Sequence, residues 1–85
     1  MKYVYIVKSG SLHPTKQEYW LSNSYFTSLK VANLEHDQIL KINKAEGIED
    51  EFVFDTIGEI KRTKYVGEGG KYKALIVIEK KELKS

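Results

Sequence analysis

Apolar and polar residues alternate from the start of the chain: Tyr3, Tyr5 and Val7 fall on one face, Lys2, Val4, Ile6 and Lys8 on the other. Period two with β-branched and aromatic residues predicts a strand over 2–8, and apolar residues on both faces predict a central place in a sheet. Ser9-Gly10-Ser11 then reads as its end, and 9–17, with the chain's only proline at Pro14, as a loop. A second strand over 18–27 sets Tyr19, Leu21 and Tyr25 against Trp20 and Phe26. Its polar Ser22-Asn23-Ser24 centre signals a bulge, a bend or an exposed edge, and a hairpin with the first strand is the simplest pairing.

The period then changes. Thr27 or Ser28 can cap a helix by accepting from N–H groups of its first turn. The helix is expected to run to about Ala45, with Gly47 as the left-handed stop. At about 100° per residue, Leu29, Ala32, His36, Ile39 and Leu40 share one stripe, whereas Val31 and Ile42 lie on a flank. That flank implies either a broad buried face or a contact of its own.

Beyond the helix, 46–51 reads as an acidic connection, and Phe52-Val53-Phe54 opens a third strand that Gly58 bulges before Ile60–Val66 continues it. Gly67-Glu68-Gly69-Gly70 is a strong turn signal. The last strand, 71–80, contains the unbroken run Ala74-Leu75-Ile76-Val77-Ile78, which places it centrally with both faces covered, before a charged tail. The order β-β-α-β-β predicts an α+β domain, a four-stranded antiparallel sheet with the helix across one face. One helix covers one face only. The other is expected to carry an exposed aromatic set drawn from Tyr3, Tyr5 and Trp20, with Tyr65 and Tyr72 as further candidates.

At 85 residues the chain forms one domain, 1–85, with a small core. An enzyme-sized cleft would consume much of that core, so binding is favoured over catalysis. Without cysteine it can form neither disulfides nor thiolate metal sites, and its N-terminal apolar run is too short for a signal peptide or a membrane span. A cytoplasmic protein follows as the expectation.

Candidate chemistry is sparse. With only His13 and His36, no metal-ligand spacing exists, and no metal or other cofactor is expected. His36, on the apolar stripe, reads as a buried hydrogen-bonded residue, and His13 as a loop residue. The serines lie in loop, bend and cap contexts outside any G-x-S-x-G elbow. Gly67-Glu68-Gly69-Gly70-Lys71 is not a phosphate loop: Tyr72 stands at the hydroxyl position and a strand follows. The carboxylates Glu49, Asp50, Glu51 and Asp55 sit where burial cannot tune them, and read as a solvated acidic loop, or in a functional version as a mimic of nucleic acid or a docking site for a basic protein surface. No catalytic set emerges.

Charge is segregated along the chain. Residues 1–58 hold six lysines against eight acids, residues 59–85 eight basic residues against four acids. The most suggestive cluster is the hairpin 61–73, where Lys61, Arg62, Lys64, Tyr65, Lys71, Tyr72 and Lys73 flank the glycine turn. Cations for phosphate and rings for stacking suit a nucleic acid; a wet strand face with edge-guarding lysines looks the same.

The Lys2-Tyr3-Val4-Tyr5-Ile6-Val7 start, followed by Tyr25-Phe26-Thr27-Ser28-Leu29-Lys30-Val31-Ala32, resembles small bacteriophage and bacterial proteins in which a "VYIV" strand leads to an "FSSLEKA" helix start. The resemblance spans the chain but its motifs are structural, and Val31 and the glycine turn depart from the pattern. It carries over no function or active site, but the lysine- and tyrosine-rich style, small size and lack of catalytic residues also resemble phage accessory proteins, which implies one that binds and modulates a host or phage protein in the host cytoplasm. The leading expectation is therefore a non-catalytic interaction protein using the exposed sheet face and the 61–73 hairpin. The alternative is a small nucleic-acid-binding protein using that hairpin, and homodimerisation through the sheet face or an edge strand is a side expectation.

Overall fold

The computed structural model describes residues 2–12, 18–70 and 72–83, with the side chains of all of these but 18 and 19. His13, Pro14 and Lys71 lie outside the described residues. The fold is α+β: strands β1 (Lys2–Leu12), β2 (Glu18–Phe26), β3 (Gly47–Val53), β4 (Gly58–Val66) and β5 (Lys73–Leu83), with helix α1 (Leu29–Ile42) between β2 and β3. All strand pairs are antiparallel, in the order β2-β1-β5-β4-β3.

The sheet has five strands, not the four expected, because the acidic segment after the helix is itself a strand. β4 needs a partner for its outer backbone groups, and Gly47–Val53 supplies it. The strand expected from Phe52 onward is instead two, divided by a turn over 54–57. Phe54 N–H donates to Ile60 C=O (2.8 Å), and Gly58 at φ 105° takes up a backbone conformation that a side chain would strain. β1 also runs past its expected end. Ser9, Gly10 and Ser11 are paired on both sides, and the Ser9 and Ser22 hydroxyls bond across the strands at 2.6 Å. β2 is an edge strand, with an irregularity where Leu21 is the extra residue between Trp20 and Ser22.

The helix begins as expected: the Ser28 side chain accepts from Val31 N–H. It ends before Ala45, and the left-handed residue is Lys44 (φ 49°), not Gly47. Lys44 N–H donates to Lys41 C=O and Ala45 N–H to Leu40 C=O, the paired bonds of a Schellman turn. Val31 and Ile42 are exposed, so the buried helix face is narrow.

Cross-strand pairing assigns the faces. Residues paired across antiparallel strands share a face, so Tyr3, Tyr5, Val7, Thr63, Tyr65, Ala74, Ile76 and Ile78 lie beneath the helix. Val7, Ala32, Ile60, Tyr65, Ala74, Ile76 and Ile78 form the core, with Tyr5, Phe26, Ile39 and Leu40 at its margin. A polar chain pins helix to sheet inside it. His36, buried as expected, bonds through Nε2 to Thr63 Oγ1 (2.8 Å) and through Nδ1 to Asp37 Oδ1 (3.0 Å). Asp37 as acceptor places a proton on Nδ1, and the Thr63 hydroxyl stands between His36 Nε2 and Glu51 Oε2 (3.5 Å). Thr63→Val keeps the shape but leaves Nε2 unpaired in the core, and is expected to cost about 1–3 kcal/mol in chemical denaturation.

Candidate interaction surfaces

The acid, imidazole and hydroxyl of Asp37, His36 and Thr63 stand in the order of a nucleophilic triad. Thr63 is 0 % exposed, so no substrate reaches its oxygen. The chain of bonds holds the fold. Among the described residues no group of histidines and carboxylates is arranged to hold a metal. None of their helices is long and apolar enough to cross a membrane. A cleft of about 360 Å³ lies beside the helix C-terminus, lined among others by Ser9, Ser11, Asn43, Tyr65 and Tyr72. Among the described residues its lining holds no carboxylate, imidazole or amine.

The 61–73 hairpin forms, as β4, a short 3₁₀ turn over Glu68–Gly70, and β5, but its candidate residues do not make one surface. Lys61 lies on the helix side, its Nζ 3.5 Å from Asn33 Oδ1. Arg62, Lys64 and Lys73 lie on the opposite side by register. Arg62 grips Glu59 with two bonds (Nε–Oε1 2.5 Å, Nη2–Oε2 3.2 Å), and Lys73 pairs with Glu49 (3.0 Å). Tyr65 is buried and its hydroxyl accepts from Asn43 Nδ2 (3.1 Å), so it cannot stack on a ligand. Tyr72 is half-exposed and lies over Gly67, where a Cβ would collide with its ring. That close approach is why residue 67 is glycine. Lys71 is outside the described residues.

The expected aromatic face is likewise redistributed. Tyr3 and Tyr5 are on the helix side and half-buried, and Lys80 Nζ sits 4.2 Å from the centre of the Tyr3 ring. Only Trp20 of the three lies on the uncovered face, paired with Gly10 and with Lys8 Nζ 5.8 Å from its ring centre. Tyr25, opposite Ile6, and Phe52, opposite Arg62, join it there. The signal that could have found them is strand parity, readable once the bulges are known.

A second surface lies along the acidic segment, where neither a strand nor an exposed apolar group was expected. All of β3 is exposed, and Ile48, Phe52, Val53, Phe54 and Ile57 form an apolar group along it and the turn that follows. The Phe52 and Phe54 rings stack with centres 6.3 Å apart.

Burial pushes the Tyr65 phenol above its usual value near 10, with Tyr72 adding to the rise and the Asn43 bond opposing it. A folded-state pKa above the unfolded one makes the neutral phenol a stabilising form, and that stability is lost as pH climbs through the folded pKa. Tyr65→Phe is therefore expected to flatten the alkaline fall in stability above about pH 10. Denaturation midpoints across that range, with tyrosinate absorbance, check this; an unchanged alkaline slope contradicts it.

Comparison with known protein families, with curated proteins and with solved structures finds no match to this chain.

Proposed function

We propose that the chain is a non-catalytic interaction protein that receives an extended segment of a partner protein along the outer edge of β3. The observation that carries this reading is an edge strand whose outer side no other described strand pairs, regular from Asp50 to Val53 beyond the irregularity at Ile48/Asp50. An unpaired row of N–H and C=O groups is a template for strand addition, which proteins ordinarily blunt with lysine or proline. Residues 46–57 contain neither of these, nor arginine. Phe54 N–H points inward to β4, and antiparallel alternation then turns the backbone groups of Glu51 and Val53 outward. Val53, 73 % exposed, offers an apolar contact on one side of the added strand, and Phe52 and Phe54 on the other.

Charge selects the partner. Glu46, Glu49, Asp50, Glu51 and Asp55 favour a basic, partly apolar segment and oppose pairing of β3 with a second β3. A homodimer would use the other edge, β2, whose only charged residue is Glu18. The resemblance to phage accessory proteins supports a host or phage protein as the partner and the host cytoplasm as the place.

Val53→Pro removes an outward N–H while leaving the inward bonds of Phe52 and Phe54 to β4. A fluorescent peptide of alternating lysine and valine is expected to bind the wild-type chain and to bind this variant at least tenfold more weakly, with unchanged circular dichroism. Equal binding to both would overturn the edge reading.

A further inference from the structure

The sheet face away from the helix has a chemistry distinct from that of the β3 edge. Its floor is β5: Leu75 and Val77 are each 1 % exposed although no helix covers them. Pairing lays two rows across it. One runs Asn23, Lys8, Val77, Arg62, Phe52; the next runs Trp20, Gly10, Leu75, Lys64, Asp50. Lys2, Lys73 and Lys81 lie on the same face by strand parity. Six of the chain's cations thus share one side of a sheet about 19 Å wide, taking five strands at 4.7–4.9 Å spacing.

Among the described residues carboxylates accompany them, and Glu18 of β2 shares the face by its register with Leu12, the partner of Lys73. Glu79 pairs with Lys8 (2.8 Å), Glu59 with Arg62 and Glu49 with Lys73, and Asp50 stands opposite Lys64 in register. Among the described residues no ion pair engages Lys2, Lys64 or Lys81. Three rings stand at the margins of the same face: Trp20 at 39 % exposure and Tyr25 at 64 % on β2, and Phe52 at 50 % on β3.

We propose that this open face binds single-stranded nucleic acid, with phosphates against Lys2, Lys64 and Lys81 and bases on Trp20, Tyr25 and Phe52. Charge complementarity selects a polyanion, and the rings narrow the choice. An acidic protein surface is recognised by cations alone, whereas unpaired bases present flat faces that stack on exposed rings without regard to sequence. A duplex hides those faces, and among the described residues this side of the sheet presents no helix to a groove. Lys8 beside Trp20 adds cation–π attraction at that stacking position. The proposal rests on the sheet face and not on the outward backbone groups of β3, and Phe52 is the one residue used by both.

Trp20 is the only tryptophan in the chain, so its fluorescence reports on this face alone. A dT oligomer of about 12 nucleotides, within the site sizes of single-strand-binding folds, is titrated into the full chain. Saturable quenching is expected, with log K falling against log salt at a slope of about −2, since three phosphates are neutralised at about −0.7 each. Lys64→Glu combined with Lys81→Glu should weaken binding tenfold or more, and Trp20→Leu, read by anisotropy of labelled oligomer, should weaken it by a similar factor. Lys61→Glu, on the helix side, and Val53→Pro should leave it unchanged. No quenching at low salt overturns the proposal. So does equal affinity for a duplex of the same length, or for polyglutamate, which would assign the face to an acidic protein. An effect of Lys61→Glu as large as that of the paired substitution would also overturn it.

Discussion

Residues Ala74 to Ile78 are buried without a break, and a strand with no wet side needs partners on both edges and cover on both faces. β1 and β4 supply the edges over almost the whole of β5. The helix supplies one cover, and its fit there is polar as well as apolar: His36 and Thr63 meet inside the core, and Asn43 reaches the Tyr65 hydroxyl. The second cover comes from side chains of the sheet itself. Lys8 and Arg62 flank Val77, and Lys64 flanks Leu75, so long basic stems lie beside apolar floor, with the charged ends of Lys8 and Arg62 paired to Glu79 and Glu59. The basic character of the open face is in this sense a consequence of how β5 is sheltered.

The same constraint fixes the rest of the architecture. With β5 at the centre and its neighbours committed to it, β2 and β3 must be the edges. The two are chemically unlike. β2 holds uncharged residues apart from Glu18, whereas β3 combines acids with exposed Phe52 and Val53. An acidic, apolar edge beside a basic, aromatic face gives one small domain two surfaces of opposite charge, and oppositely charged surfaces select different partners.

Much of this was legible in the residues. The run Ala74–Ile78 marked the central strand, Thr27 or Ser28 the helix cap, and His36 on the apolar stripe a buried, bonded imidazole; the strand and the imidazole are seen, and Ser28 is the cap. What was missed has physical causes. β3 is wet on both faces and paired on one edge, so selection leaves no alternating pattern, and its acids read as a loop. The helix stop fell on Lys44 because Schellman bonding to Leu40 and Lys41 holds a non-glycine residue left-handed there. The candidate site was scattered by parity. Bulges at Ser9/Gly10 and Glu59/Lys61 shift the alternation, and nothing in the residues says which face the helix will choose. Tyr3, Tyr5, Lys61 and Tyr65 went beneath it or to its side, while Tyr25 and Phe52 joined Trp20 on the face left open.

Amide hydrogen exchange, read residue by residue on the free chain, tests most directly whether a buried β5 leaves β3 as an open edge. Amides of Leu75 to Ile78 should exchange only through global unfolding, and Phe54 N–H, bonded to Ile60, should be protected to an intermediate degree. Glu51 and Val53, whose N–H groups face outward, should exchange fastest within the strand. Protection of Glu51 and Val53 equal to that of Phe54 would mean the edge is already covered, and would contradict the account.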